Sequence, residues 1–184
     1  MRVIGGKHRG RILKTFEGTD VRPTSDRAKE SLFNILQKSV PNSTFLDLFT
    51  GSGSVGIEAL SRGAKAVYFV DARRESVALC KANLALIKED ASTVTCADFA
   101  QALRRFSSQG MQFDIVFLDP PYASPCGEQA LRMLNEGDLL APNAIVAFEH
   151  AGNEPLSLST LVHYDRRKYG VAYFDFYRKE TSEN

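Results

Sequence analysis

Apolar runs of strand length alternate with helical patterns along most of the chain, and this alternation constrains the fold more than any other feature. The run from Ile115 to Leu118 contains no polar residue, which is typical of a strand covered on both faces. Strands joined through helices are parallel neighbours with right-handed crossovers, so the pattern predicts an α/β fold with a doubly wound, mostly parallel sheet. The predicted strands are 44–49, 66–70, 93–97, 113–118 and 144–149, and the predicted helices between them are 54–62, 75–88, 100–106 and 127–134.

The end of the chain departs from this alternation. Residues 161–168 and 171–178 are two strand-like runs separated by Tyr169 and Gly170, which predicts an antiparallel hairpin. The hairpin brings the predicted sheet to seven strands. Nothing in the pattern requires a second domain, because 184 residues suffice to bury one core. We therefore expect one domain over 1–184, with its Rossmann-like core over 44–179.

The beginning of the chain is basic. Two short apolar runs flank a glycine-rich centre between residues 3 and 13, which predicts a small hairpin or extended arm within residues 1–20. Met1 to Lys14 contains five basic residues and no acidic one, although the net charge of the whole chain is only +1. Such a local excess favours contact with a polyanion, although a solvated surface loop would also explain it. A helix is predicted after Arg22-Pro23-Thr24-Ser25, where a proline and two hydroxyls are start signals.

Three cysteines, Cys80, Cys96 and Cys126, lack the paired spacing of a zinc site or a disulfide framework. We expect reduced thiols and no metal site. The N-terminus has no apolar segment of signal-peptide length, and no stretch approaches the ~20 apolar residues of a membrane span. The sequence thus predicts a soluble cytoplasmic protein without a membrane partner, and it leaves the oligomeric state open.

A glycine-rich loop follows the first predicted strand and opens the next helix, which is the context of nucleotide-binding loops. Gly51 permits a tight turn, Gly53 lets a ligand approach the backbone, and Gly56 lets the helix pack on the strand. Asp71 ends the second strand, where an acid can accept hydrogen bonds from ribose hydroxyls. We expect a nucleotide-bearing cofactor at this edge of the sheet.

Charge distinguishes the two cofactors that fit this architecture. A dinucleotide places an anionic pyrophosphate on the helix N-terminus, whereas S-adenosyl-L-methionine carries a sulfonium and an ammonium. Asp47 lies just before the loop, where it would repel a pyrophosphate and attract a cation, so we predict S-adenosyl-L-methionine. An Asp47 that faces solvent or caps a turn is the alternative. Asp98 could accept from the adenine amino group while Phe99 packs on the ring, although a strand-end acid and a core aromatic are nearly as plausible.

The tetrapeptide Asp119-Pro120-Pro121-Tyr122 directly follows the most apolar strand, at the carboxyl end where open α/β sheets bind ligands. The two prolines stiffen the loop and leave its carbonyls with few local donors. Asp119 adds a charged acceptor, which suits a substrate that brings donors, such as the amino group of a nucleobase. Tyr122 offers a face on which a base can stack. The sequence predicts a catalytic loop here rather than a plain proline turn.

Taken together and in this order, these motifs resemble those of class I S-adenosylmethionine-dependent methyltransferases that act on a base amino group. More narrowly, the chain is similar to the RsmD family of bacterial 16S rRNA guanine methyltransferases. That likeness covers nearly the whole chain and is most specific in two stretches, 3–11 and 22–27. Further matching stretches are 46–56, 58–64 and 167–170.

The resemblance implies transfer of a methyl group from S-adenosyl-L-methionine to the 2-amino group of a guanine in 16S rRNA, as naked RNA or in the assembling small subunit. Under it, the catalytic residues are Asp119, Pro120, Pro121 and Tyr122. The cofactor-binding residues are Asp47, Phe49, Gly51, Ser52, Gly53, Asp71, Ala72, Asp98 and Phe99. The RNA-binding residues are Lys7, His8, Arg9, Arg11, Arg22, Thr24 and Arg27.

Three other functions remain open at this point. A DNA adenine or cytosine amino-methyltransferase would share the tetrapeptide, although the chain has no room for a target-recognition domain. A dehydrogenase would share the glycines, although nothing here offers its hydride chemistry. A non-catalytic RNA-binding module would explain the basic arm but not Asp119 to Tyr122.

Overall fold

One mixed sheet organises the protein. The computed structural model describes residues 1–16, 26–122, 124–152 and 154–180. Its strands are β1 (Thr44–Asp47), β2 (Ala66–Asp71), β3 (Ser92–Cys96), β4 (Phe113–Leu118), β5 (Leu140–His150), β6 (Leu161–Tyr169) and β7 (Ala172–Lys179), and its helices are α1 (Asp26–Leu36), α2 (Ser54–Ser61), α3 (Arg74–Ile87), α4 (Phe99–Ser108) and α5 (Cys126–Glu136). The strand order is β3-β2-β1-β4-β5-β7-β6. Strands β1 to β5 run parallel, and β7 is antiparallel to both β5 and β6.

The predicted seven-stranded α/β sheet with its C-terminal antiparallel hairpin is confirmed. Two strands differ in length from the prediction by more than one residue. β1 ends at Asp47 because the chain then turns away, with the Thr50 amide donating to the Val70 carbonyl. β5 begins at Leu140 rather than Ala144, because its first residues pair with β4 ahead of a register shift. The predicted start of the first helix at 23–25 lies outside the described residues.

Helices cover both faces of the sheet, as the apolar character of β4 requires. Ile115 and Phe117 belong to the core beneath α1, α2 and α3, whereas Val116 and Leu118 belong to the core beneath α4 and α5. Side chains alternate between the two faces of a strand, so residues 115–118, which are buried on both faces, offer no polar position. This alternation also decides on which face each side chain at the strand ends lies.

The N-terminal segment folds into the predicted hairpin, with Arg2 bridged to Ile12. It is docked on α2 by a buried carboxylate. Both carboxylate oxygens of Glu58 accept a backbone N–H from the hairpin, from Ile4 and from Gly5, each at 2.8 Å. Because Glu58 has no exposed surface, the hairpin is part of the packed structure rather than a detached arm.

Within the described ranges, no helix combines the length and the apolar character needed to cross a membrane. The same residues contain no cluster of three or more histidine, cysteine, aspartate or glutamate side chains arranged to hold a metal ion.

Candidate active site

Four acidic residues lie at the carboxyl edge of the sheet. They lie at, or directly after, the carboxyl ends of four adjacent strands, and each comes two residues after a buried residue of the core beneath α1, α2 and α3. Because side chains alternate along a strand, all four are on that face and form one row. The row consists of Asp71 on β2, Asp47 on β1, Asp119 after β4 and Glu149 on β5.

Asp47 lies deepest in this row and is only 1 % exposed. Its Oδ2 accepts the backbone N–H of Gly56 at 3.0 Å, in the first turn of α2. Burial, opposed by this hydrogen bond and assisted by the charge of Asp71, raises the pKa of Asp47 to about 8. Asp47 therefore does not face solvent. It caps the first turn of α2. Because its pKa is raised, only a nearby positive charge would keep it ionised at neutral pH.

We expect Asp47→Asn to stabilise the ligand-free protein more at pH 8 than at pH 5. The folded protein raises the pKa of this carboxyl from 3.8 to about 8, so it binds the proton more tightly than the unfolded chain between those values. Folding stability therefore falls as the pH rises through that window, by about 1.4 kcal/mol per pH unit for one such group. Asparagine removes this dependence. Urea unfolding at several pH values would measure it.

A matched control for this experiment is Asp90→Asn, because Asp90 is an exposed aspartate just after α3. The control should follow the wild-type pH dependence. Parallel stability curves for the wild type and Asp47→Asn would contradict the expected burial effect.

The glycine loop is held in place by Asp71. Its Oδ2 accepts the Gly51 N–H and its Oδ1 accepts the Arg73 N–H, both at 2.9 Å. Gly53 has a φ of 82°, and a Cβ atom there would lie 2.7 Å from Cys80 Sγ. The loop is therefore preformed, and Gly53 is required both by backbone conformation and by close packing.

Asp98 and Phe99 stand at the start of α4. One oxygen of Asp98 accepts the N–H groups of Ala100 at 2.9 Å and Gln101 at 3.4 Å, so this residue is the N-cap of the helix. The Phe99 ring lies 5.7 Å from the Phe49 ring. Asp98 thus has a structural role as a helix cap, in line with the alternative that it is an ordinary structural acid. Contact of Asp98, Phe99 and the exposed Ala72 with a cofactor stays a prediction.

The tetrapeptide loop is packed from behind by α5. A Cβ atom at Gly127 would lie 2.5 Å from Pro120 Cγ and equally close to the Phe148 ring, so only glycine lets the helix approach this loop so closely. The Tyr122 hydroxyl donates to Glu149 Oε1 at 2.9 Å, and Tyr122 as a whole remains 42 % exposed. The phenol is thus tethered while a substantial part of the residue faces solvent.

Asp119 lies between two other acids of the row. Withdrawal from water raises its pKa well above the ordinary value for aspartate, and the charges of Glu149 and Asp47 raise it further. A carboxyl group whose ionisation is opposed by two neighbouring acids is stabilised as a carboxylate by positive charge and by hydrogen-bond donors. The edge is therefore suited to a sulfonium and ammonium ligand and to an amine, and it is unsuited to a pyrophosphate.

Sequence reasoning missed Glu149 and Gly127. Glu149 carried a usable signal, because it is an acid at the carboxyl end of a strongly apolar strand, as Asp47 and Asp71 are. Gly127 carried none, because a glycine in the first turn of a helix indicates nothing about the loop that it contacts.

The tip of the N-terminal hairpin lies far from the acidic row. The Lys7 N–H donates to the Ser61 carbonyl, at the end of α2 that is remote from the glycine loop. Lys7 Nζ and His8 Nε2 both lie 2.6 Å from Glu89 Oε1. These two side chains are thus engaged within the protein, and their contact with RNA stays a prediction.

The remaining residues predicted to bind RNA differ in environment. Arg9, Arg11 and Arg27 are exposed, and none of the three forms an ion pair within the part of the chain that the structure describes. They are available to phosphate groups. Arg22 and Thr24 lie outside the described residues.

Comparison with known proteins gives a consistent result. The family model described as "Conserved hypothetical protein 95" matches residues 1–178. A Haemophilus influenzae protein named ribosomal RNA small subunit methyltransferase D is 41% identical over 161 residues, covering 85% of this chain and 81% of its own. The Escherichia coli protein of the same name is 31% identical over 187 residues, covering 100% and 93%. A solved structure of a proposed Escherichia coli methyltransferase superposes with a TM-score of 0.86 at 31% identity, covering 98% of each chain.

Proposed function

This chain belongs to the RsmD family of ribosomal RNA methyltransferases, and on that premise we propose that it methylates the 2-amino group of a guanine in 16S rRNA. The methyl donor is S-adenosyl-L-methionine. One observation carries the proposal: Asp47 and Asp119 stand on the same face at the carboxyl ends of adjacent strands β1 and β4. A cation held by the first acid is therefore next to an amine held by the second. We propose either naked rRNA or the assembling small subunit as the substrate.

The cofactor would be held by the glycine loop and by Asp47, Asp71 and Asp98, and it would supply an electrophilic methyl group on a sulfonium. Asp47 presents a buried carboxyl to the positive end of such a ligand. A bound cation lowers the pKa of nearby carboxyl groups. Binding therefore favours the ionised form of Asp47 and of Asp119 as well. Cofactor binding would thus convert Asp119 into the carboxylate that accepts hydrogen bonds from the amine.

The chain's own contribution to transfer is to hold and localise the amine. The nitrogen lone pair of an aromatic amine is delocalised into the ring, so it is a weak nucleophile. Acceptors at the Asp119 carboxylate and the Pro120 carbonyl, directed at the two N–H bonds, would favour the pyramidal form and stabilise the developing positive charge. Orientation of the reactants can contribute ~7 to 11 kcal/mol in well-positioned systems.

Tyr122 would clamp the base from the open side of the site. The target base must leave its stack to reach the acidic row, and an aromatic side chain offers it a new stacking partner. The residue is 42 % exposed, and the hydrogen bond to Glu149 limits the orientation of its ring. The exposed arginines Arg9, Arg11 and Arg27 would contact phosphates of the rRNA farther from the extruded nucleotide.

Methyl incorporation would test this function. The purified protein would be incubated with labelled S-adenosyl-L-methionine and with naked 16S rRNA, immature small subunits, large-subunit rRNA or DNA, the RNA coming from cells that lack the enzyme. We expect label in 16S rRNA or in small subunits only, as N2-methylguanosine in nuclease digests. Label in DNA, or on an adenine or cytosine amine, would overturn the proposal.

A further inference from the structure

We propose that Glu149 selects guanine by accepting the N1–H of the target base, an inference that rests on the proposed function. The sequence offered only the tetrapeptide to bind the target base, and neither its acceptors for the amine nor its stacking tyrosine distinguishes guanine from adenine. An enzyme that methylates one purine amine needs a second contact to recognise the purine. The structure places one side chain where that contact is required.

Glu149 is the neighbour of Asp119 across the sheet. Leu118 pairs with Phe148 in the parallel register of β4 and β5, and Asp119 and Glu149 are the next residues on each strand. Neighbouring strands lie about 4.8 Å apart, which is within the width of one base edge. The charge of Glu149 also raises the pKa of Asp119, as expected of two neighbouring acids. The two carboxyl groups therefore face one common space at the carboxyl edge.

Guanine presents two adjacent donors to such a pair of acids. Its 2-amino group is flanked on the same edge by the N1–H, so two adjacent acceptors can bind the two groups together. Adenine presents an N1 acceptor in that place, which would meet the Glu149 carboxylate without a proton between them. Two acceptors that face each other repel, and Glu149 is only 5 % exposed, so little water can enter between them. The pair of acids thus favours guanine and rejects adenine.

The hydrogen bond to Tyr122 strengthens this assignment. The Tyr122 hydroxyl holds Glu149 Oε1 at 2.9 Å, so the carboxylate is fixed at the border between the tyrosine ring and Asp119. A base stacked on that ring and bound through its amine to Asp119 would present its N1 position toward Glu149. Glu149 would therefore both orient the tyrosine ring and recognise the base.

An atomic substitution in the substrate tests the proposal. Small-subunit particles would be assembled on rRNA that carries either guanosine or 2-aminopurine riboside at the nucleotide that the wild-type enzyme methylates. 2-Aminopurine keeps the 2-amino group but has an N1 acceptor in place of the N1–H donor. For wild type we expect single-turnover transfer to guanosine to be about 10- to 100-fold faster, the usual discrimination of one good base contact.

The variants Glu149→Gln and Tyr122→Phe distinguish two roles of Glu149, recognition of the base and support of the Tyr122 ring. Glutamine can donate to an N1 acceptor, so Glu149→Gln should slow transfer to guanosine and reduce the preference to a few-fold. Tyr122→Phe removes the hydrogen bond but keeps the acid, so it should slow transfer to both bases and keep most of the preference. The thermal midpoint of each variant would confirm that it is folded.

Two outcomes would overturn the inference: an unchanged preference in Glu149→Gln, or an equal loss of preference in Tyr122→Phe, which would reduce Glu149 to a support for the tyrosine. Failure of the wild-type enzyme to methylate guanosine particles is a different result. It would overturn the proposed function and would be seen before any variant is compared.

Discussion

Replacing Asp119 with alanine is expected to lower the rate of methyl transfer by about 10²- to 10³-fold, the usual effect of removing a preorganised polar group that stabilises developing charge. Cofactor affinity should change little, because the loop and the acids Asp47 and Asp71 that would hold the cofactor stay in place. Asp119→Asn should lose less activity than Asp119→Ala, since an amide oxygen still accepts one N–H. Single-turnover transfer and calorimetric titration with S-adenosyl-L-methionine would measure the two quantities separately.

Asp114 provides the matched control for this experiment. It lies near the start of β4, the strand that the predicted catalytic loop follows. Its Oδ2 accepts the Thr44 N–H at 2.7 Å. Asp114→Asn should transfer methyl groups at the wild-type rate. An Asp119→Ala enzyme that lost affinity and transfer equally would contradict the separation of roles between Asp119 and Asp47.

Replacing Glu58 with alanine is expected to destabilise the protein by about 3 to 5 kcal/mol, the range for breaking a buried ion pair. Glu58 lies 3.7 Å from Lys29 Nζ, and both side chains are completely buried. It also accepts two hairpin N–H groups and the Nε–H of Arg62 at 2.8 Å. Without Glu58 the buried ammonium, whose pKa burial already lowers, loses its counter-charge. Denaturant unfolding would measure the change in free energy.

Two further variants sharpen this test. Glu136→Ala removes an exposed carboxylate at the end of α5 and should change stability by no more than about 0.5 kcal/mol. The double substitution Lys29→Met with Glu58→Leu removes both buried charges and should recover part of the loss, because apolar residues of similar size often replace a buried ion pair without penalty. A Glu58→Ala variant as stable as the control would show that Glu58 does not stabilise the docked hairpin.

The fold could be predicted largely because its signals are local. An unbroken apolar run such as 115–118 predicts a doubly covered strand from composition alone, and the turns around Gly51 and Gly170 follow from conformational preference. Element ends were less predictable. The extra residues of β5 depend on pairing with Phe113, which is distant in sequence.

The candidate site also has a part that the sequence predicted and a part that it did not. Asp47 was predicted from its place before the glycine loop, Asp71 as the end of the second strand and Asp119 as the residue after the most apolar strand. The adjacency of β1 and β4 then brings Asp47 and Asp119 together. Lys7 and His8 were assigned to RNA from the family resemblance, and Lys7 also from the basic character of the arm. Their pairing with Glu89 could not be foreseen, because the acid that a surface base meets depends on how the hairpin docks.

By itself, therefore, the sequence determined the α/β class, the glycine loop and the stiff acceptor loop, since these depend on the preferences of neighbouring residues. Only the tertiary structure decided that Glu149 stands beside Asp119, that α5 packs on Pro120 through Gly127, and that Glu58 holds the hairpin. Such contacts join residues far apart in the chain. Their geometry is set by strand order and helix packing, which no short stretch of sequence encodes.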